Sequence, residues 1–401
     1  MPIHIPKRTA AIFAVLLATG LLDIGLIAPA FAADAVRGVT DTEITIGTIS
    51  DLSGVTAVQG VNNTYANRLA YDAINAKGGI HGRKIKYIVE DNQYQVPRAV
   101  QAMNKLLNND SVFIMVNNGG TPMNNANMPA QLEKGVANVF PLTAARSMYE
   151  PFNRLKFGQF ASYYDQMRAG VKYFVEKKGK KNVCAMTQDS DFGRDVLAGA
   201  VEQLAAMHMK LAGETVHKPT DTDFNALLTR LHDEKCDLIV TGTIVKDTTL
   251  IISTARKMGW DVDMLGQFAS YDTAVADAPG NVAEGYFAMT PGLYAYPDDP
   301  RPAVQAFSKA FREKSGRDPN FLGQMGYSAA QMVILALDRA GRDLTMDSFI
   351  KGMESIDGYV DIFGNPPARL SATNHHASTQ SFLAVIKNGR WIAALPDPLG
   401  Y

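Results

Sequence analysis

Residues 74–91 read INAKGGIHGRKIKYIVED, and the fold turns on how this stretch is parsed. The preceding residues, NNTYANRLAYDAINAK, place Ala66, Leu69, Ala70, Ala73 and Ile74 at helical spacing. Gly78 and Gly79 stop that helix, because glycine takes the left-handed cap conformation without a Cβ clash. A tight turn on Gly82-Arg83-Lys84 then feeds a strand, KIKYIVED, with a buried acidic end expected at Asp91. Upstream, EITIGTIS alternates apolar residues and ends on small ones, a strand signature.

Outward from this helix the pattern continues. PRAVQAMNKLLNND is a helix with proline at its start, SVFIMVN a buried strand, NNANMPAQLEKG a short helix and VANVFPLTA another strand. Strand alternating with helix predicts a parallel sheet covered on both faces, with right-handed crossovers. The rhythm breaks near RLKFGQFASYY and restarts. DQMRAGVKYFVEKKG, GRDVLAGAVEQLAAMHM, DFNALLTRLHDEK and DTTLIISTARKMG are helices, each followed by a strand. These strands are NVCAMTQD, KLAGETVH, DLIVTGT and DMLGQFA. A third section opens with EGYFAMTPGLYAYPDDPRP, a crossing strand and loop. It adds three helices and ends in a hairpin-like pair around Asn388-Gly389.

The chain has 401 residues, 46% hydrophobic and 20% charged, enough for two domains with a substantial core. Lys7 and Arg8 precede a short apolar run, and Ala30-Phe31-Ala32 fits a small-x-small cleavage site. Residues 1–32 are therefore expected to be a secretory signal peptide. Losing Lys7, Arg8 and Asp23 with it moves the net charge from −1 to about −2. With no basic surplus to neutralise phosphates, nucleic acid is not expected as a partner. Cys184 and Cys236 begin two strands; a disulfide and two buried free thiols are both open. Neither has a Cys or His at ligand spacing, so no metal or other cofactor is expected.

The segments ITIGTISDLSG, AYDAINAKGGIHGRKIKYIVEDNQ, DSDFGRD, DTDFNALLTRL and GYSAAQMVILAL, in this order behind a signal peptide, resemble the extracytoplasmic solute-binding proteins of ABC importers. The likeness is to the branched-chain amino-acid (Leu/Ile/Val) receptor type and covers about residues 43–395. It implies the α/β type I periplasmic-binding-protein fold: two Rossmann-like lobes with parallel sheets and three hinge crossings, near 158–163, 286–292 and 360–371. Lobe one would span 41–160 plus 290–362, and lobe two 163–288 plus 366–397. The ligand would bind in the interlobe cleft at the carboxyl ends of the strands, with closure by a hinge motion. The protein would be a periplasmic monomer serving the membrane permease of an ABC importer.

In amino-acid receptors of this type a small hydroxyl residue after the third strand helps hold the ligand carboxylate; by position this is Thr121. The loop after the next strand supplies Leu142, Thr143 and Ala144. Ordinary N-capping is the competing role for both threonines. The acid that pairs with the ligand ammonium would follow DMLGQFA, but the place falls on Phe268. Residues 267–271 hold no carboxylate, and Asp272 comes several residues late. Phe192 stands where tyrosine is frequent, and Ile244 takes the place of another tyrosine. This wall of lobe two is thus apolar, and a buried ammonium would lack a counter-charge. An organic acid without an α-amino group is expected, first an aromatic carboxylate. Phe192 and Phe268, with Tyr163 or preferably Tyr164, would stack on its ring. Plain core packing is the competing role for each phenylalanine. Gln59 would contribute an edge contact.

A branched-chain amino-acid or small-amide receptor is the alternative. A secreted α/β enzyme is disfavoured, because no nucleophile–base set can be assembled; no G-x-S-x-G or H-E-x-x-H occurs. His375-His376 is expected in a surface loop, since adjacent histidines rarely chelate together.

Overall fold

The computed structural model describes residues 35–401; the expected signal peptide lies outside them. Two sheets organise the chain. The first is all parallel and contains β1 (Glu43–Ser50), β2 (Lys84–Asp91), β3 (Ile114–Val116), β4 (Ala137–Val139) and β5 (Lys156–Phe157), in the order β2-β1-β3-β4-β5. The second contains β6 (Val183–Gln188), β7 (Gly213–His217), β8 (Leu238–Gly242), β9 (Asp263–Gly266) and β10 (Phe287–Thr290). After a small ribbon, β11 (Asp357–Tyr359) with β12 (Ala368–Arg369), the hairpin β13 (Phe382–Lys387) and β14 (Arg390–Ala393) joins it. Its order is β14-β13-β10-β9-β8-β6-β7, antiparallel only at β13 and β14. β5 lies inside the stretch where the sequence rhythm breaks. Two paired residues are too few to leave a periodic signal.

Strand alternation sends Ile44, Ile46, Ile114 and Val116 to one face of the first sheet and Ile49 and Met115 to the other. Helix α1 (Ala57–Ala76) lies on the first face, and α2 (Val96–Asn108) covers the second with Met103 and Leu106. Next come α3 (Thr121–Glu133), α4 (Tyr163–Lys178), α5 (Asp191–Ala206), α6 (Asn225–Asp233), α7 (Val245–Lys257) and α8 (Thr273–Ala276). Helices α9 (Pro302–Ser315), α10 (Phe321–Ala340) and α11 (Met346–Glu354) follow, and α10 and α11 join α1 on the first sheet. Among the described residues no helix is long and apolar enough to cross a membrane.

The buried face of α1 is not the expected apolar stripe. Ala66 and Ala70 are buried, but Ala73 is exposed, and Asn62, Asn63 and Asn67 complete the inward face. These amides have built-in partners: Asn63 donates to the Leu322 carbonyl and Asn67 to Asn117 Oδ1. The stretch 74–91 also departs in detail. The two-residue turn is centred on His81-Gly82, both at positive φ, with Ile80 and Arg83 exchanging backbone hydrogen bonds of 2.8 and 2.9 Å. Gly79 sits at φ +81, where an added Cβ would lie 2.0 Å from the Arg83 carbonyl oxygen.

Asp91, at the end of β2, is half-buried rather than buried. It pairs in register with Ser50 and accepts from the Leu52 N–H at 2.9 Å and the Ser53 hydroxyl at 2.6 Å. The acidic end of this strand thus fixes the loop that leaves β1, and that loop forms part of the site.

The chain passes between the sheets after β5 and after β10. It passes a third time between Ala377, whose N–H bonds the Gly158 carbonyl, and Phe382 in β13. The third passage falls later than 360–371 because residues 375–377 are tied to the first sheet. His375 stacks on Phe157 with ring centroids 4.0 Å apart, and His376 stacks on Tyr149 at 3.9 Å. Both rings are buried, so the histidine pair is no surface loop; two flanking aromatics supplied the stacking partners. Cys184 and Cys236, at neighbouring strands β6 and β8, form a disulfide with Cα atoms 5.8 Å apart.

Candidate functional site

Both sheets have a topological switch point: between β1 and β3 in the first, and between β6 and β8 in the second. Open α/β sheets leave a crevice at such points, outside the carboxyl ends of the strands. The two crevices face each other and share one cavity. Its first-sheet wall is Ser50 at the end of β1 with Asp51 after it, Gly119 to Thr121 after β3, and Leu142 after β4. Its second-sheet wall is Phe192 after β6, Ile244 after β8, and Phe268 with Ala269 after β9. The cavity and its solvent mouth together measure about 500 Å³. It is a cleft open to solvent at its mouth.

The first-sheet wall is polar. Thr121 is the first residue of α3, so its N–H has no intrahelical partner. The Thr121 and Thr143 hydroxyls share a hydrogen bond of 2.7 Å, and the Tyr163 phenol lies beside Thr143. Burial pushes that phenol up to about 12, so it stays protonated. Ser50 Oγ has no hydrogen-bond partner among the described residues. Hydroxyls at a helix start form an anion cradle.

Among the described residues Asp51 is the single carboxylate lining the cavity. One of its oxygens accepts from the N–H groups of Ser53 (3.2 Å) and Gly54 (2.5 Å). The other accepts from the Thr56 N–H (2.7 Å) and hydroxyl (2.8 Å). A carboxylate has about four lone-pair sites, and this loop fills them. Gly60 lets α1 start this close: a Cβ there would lie 2.0 Å from the Asp51 carbonyl oxygen.

The second-sheet wall is apolar and aromatic. Phe192, Ile244 and Phe268 are all buried. Phe268 packs on Phe160 at 4.4 Å, and Tyr163 meets Phe192 edge-on at 4.9 Å. Asp272 is turned away. It caps α8, accepting from the Ala274 N–H at 2.9 Å and from Asn320 Nδ2 at 2.6 Å. Burial raises it to about 6.

Several bonds cross between the two sides. Gln59 Nε2 donates to the Ala269 carbonyl at 2.8 Å, and the Tyr94 hydroxyl to Gln188 Oε1 at 3.2 Å. Gln93 and Tyr94 both adopt positive φ, an uncommon pairing for non-glycine residues that turns Tyr94 into the cavity. At the rim, Asn125 donates to Asp191 at 2.8 Å and Arg146 to Asp195 at 2.8 Å.

Residues 43–390 match the periplasmic binding protein family. The chain belongs to this family. It is 23% identical over 322 residues to the leucine-, isoleucine-, valine-, threonine- and alanine-binding protein of Pseudomonas aeruginosa, covering 78% of this chain and 83% of that one. Among solved structures, a branched-chain amino-acid ABC transporter protein from Thermus thermophilus with bound valine aligns with a TM-score of 0.82 at 18% identity, covering 90% of this chain and 98% of that one. A solute-binding protein of an R. palustris ABC transporter in complex with benzoate aligns at 0.77 and 18%, covering 89% and 97%. The fold is the type I periplasmic-binding-protein fold.

On this periplasmic binding protein the residues expected from sequence divide. Gln59, Thr121, Leu142, Phe192, Ile244 and Phe268 line the cavity. Thr143 and Ala144 stand behind it: Thr143 supports Thr121, and the Ala144 carbonyl accepts the Tyr163 N–H at 2.8 Å. Tyr164 is a correction. Tyr163 lines the cavity, while Tyr164, one residue further round α4, lies outside it. The Arg146 guanidinium stacks 3.8 Å above the Tyr164 ring, whose hydroxyl bonds Glu202. Sequence reasoning passed over Ser50, Asp51 and Tyr94. The small-residue ending of EITIGTIS, at the carboxyl edge of β1, was the signal that could have found the first two.

Proposed function

We propose that this protein is the periplasmic receptor of an ABC importer, closing on a small organic acid without an α-amino group and delivering it to a membrane permease unchanged. An aromatic carboxylate is the first choice. The observation that carries this reading is the state of Asp51. Among the described residues Asp51 is the one carboxylate lining the cavity, and its own loop fills its lone pairs, leaving none free to accept from an ammonium, while the Ser50 and Thr121 hydroxyls line the same space. A carboxylate would lie on the Ser50–Thr121 side and its ring or alkyl body against Phe192, Ile244 and Phe268. The benzoate complex of the R. palustris neighbour supports an aromatic acid in this fold. The hinge passages and the rim bonds support closure of lobe one against lobe two; of the expected spans (41–160 plus 290–362, and 163–288 plus 366–397), residues 366–377 go with lobe one, so that lobe two resumes at residue 378. The protein acts as a monomer.

The second reading, a branched-chain amino-acid or small-amide receptor, is favoured by the ligands named for the Pseudomonas aeruginosa relative. A thermal-shift panel of aromatic acids, aliphatic acids, amides and amino acids separates the two, since a ligand that binds the folded state raises Tm by mass action. A rise with benzoate and none with leucine is expected. A rise with leucine alone overturns the ligand assignment, and turnover of any ligand overturns the receptor role.

A further inference from the structure

A second cavity lies at the hinge, on the far side of Phe160 from the cleft. Phe160 is one of its walls, and the same ring packs on Phe268 of the cleft at 4.4 Å. All three passages between the sheets contribute to it, through Gln159 with Phe160, Pro291, and Ser378; Asn365, from the loop between β11 and β12, joins them, and Met325 and Met332 of α10 close it. Its non-atom space, mouth included, is about 390 Å³ against about 500 Å³ for the cleft, so it suits a smaller ligand than the cleft does.

Hydroxyls of Ser328, Tyr359 and Ser378 line it, but its two amides each leave an oxygen unpaired. Gln159 is 8% exposed, and its Nε2 donates to the Met325 carbonyl at 3.3 Å, which fixes the orientation of the amide. Asn365 Nδ2 donates to Asp361 Oδ2 at 2.8 Å, and a carboxylate can only accept, so this amide is fixed as well. Gln159 Oε1 and Asn365 Oδ1 are then buried acceptors with no donor among the described residues. Asp361 adds a carboxylate to the same wall, where it also accepts from the Phe363 and Asn365 N–H groups. No Lys, Arg or His lines the cavity among the described residues. Arg301, whose charge is influenced by Asp361, is paired with Asp299 and does not line the cavity. Buried acceptors left unpaired are unfavourable, so the site calls for a donor. Its methionine and proline walls call for a short apolar body.

We propose that this hinge cavity is a second binding site, for a short-chain primary alkylammonium, with the ammonium on Gln159 Oε1 and Asn365 Oδ1 and the alkyl chain on Met325 and Met332. The assignment is independent of what the cleft binds. The test is calorimetric titration of the full-length mature protein with n-propylammonium chloride, propionamide and sodium propionate. Saturable propylammonium binding is expected at about 1–10 mM, the range open to a ligand of four heavy atoms. Gln159→Leu should weaken it at least fivefold and Met332→Trp, which fills the cavity, should abolish it, with each variant still showing a cooperative thermal transition. Absence of saturable propylammonium binding overturns the proposal, as does equal affinity in both variants. Propionamide binding as tightly as propylammonium through the same residues overturns the assignment to a cation.

Discussion

Replacing Thr121 by valine keeps the shape of the side chain and removes only its hydroxyl. That hydroxyl is buried at the start of α3, 2.7 Å from Thr143 Oγ1, on the polar wall of the cleft. Two effects follow, and they differ in size. Stability loses one neutral hydrogen bond, about 0.5–1.5 kcal/mol; Thr143 keeps Tyr163 and the Ala145 N–H as neighbours. Binding loses a hydrogen bond to a carboxylate, about 1.5–3 kcal/mol, which corresponds to a Kd roughly 10- to 150-fold weaker. Calorimetric titration with benzoate, or with the carboxylate giving the largest thermal shift, measures the second effect. A parallel melt of the ligand-free protein measures the first. Thr121→Ser restores the hydroxyl and should recover most of the affinity. A Kd within twofold of the parent for Thr121→Val would show that the threonine is only a helix-start residue. A serine variant as weak as the valine variant would show that the methyl group, not the hydroxyl, matters.

Three further outcomes are expected. Removing the disulfide with Cys184→Ala and Cys236→Ala opens a loop of 52 residues and should cost up to about 4 kcal/mol in urea unfolding on chain-entropy grounds; an unchanged midpoint would mean that the link constrains nothing. Asp272 is raised from 3.8 to about 6 by burial, so its stabilising, protonated state is fully present below about pH 4 and lost as pH rises through 6. That amounts to about 3 kcal/mol over this window. Asp272→Asn should flatten the pH dependence of the urea midpoint between pH 4 and 6, and a variant with the parent's slope contradicts the assignment. Arg146 clamps Asp195 and the Tyr164 ring across the rim while remaining 32% exposed. After discounting for screening, Arg146→Ala should weaken closure by about 1–2 kcal/mol and speed ligand release roughly 5- to 30-fold in stopped flow. An unchanged rate would make this contact incidental.

The fold was legible because alternation and helix stops act locally. The helix 62–77, its glycine stop and the strand 84–91 can all be read from one window of sequence. The apolar wall came from the family resemblance: Phe192, Ile244 and Phe268 lie within two to four residues of the ends of β6, β8 and β9, and aligning the strands places them. Tyr164 failed because one residue along a helix turns a side chain by about 100°, so the Tyr163/Tyr164 choice depends on where α4 begins. Ser162, whose hydroxyl accepts the Asp165 N–H, sets that start. Asp51 was hidden for a different reason. Its meaning lies in the four donors that surround it, and a carboxylate in sequence carries no record of whether its lone pairs are filled. The histidine pair and the disulfide were settled by partners on other elements, Phe157 and Tyr149 in one case and the β6–β8 pairing in the other.

The central claim is that the cleft accepts a carboxylate but has no place for an α-ammonium. Matched pairs that differ in that group alone test it most directly: 3-phenylpropionate against phenylalanine, and 4-methylpentanoate against leucine, each titrated calorimetrically at pH 7. The deaminated acid of at least one pair should bind more than about 100-fold more tightly, because an unpaired buried ammonium costs several kcal/mol. An amino acid that binds as well as or better than its deaminated partner in both pairs would contradict the account.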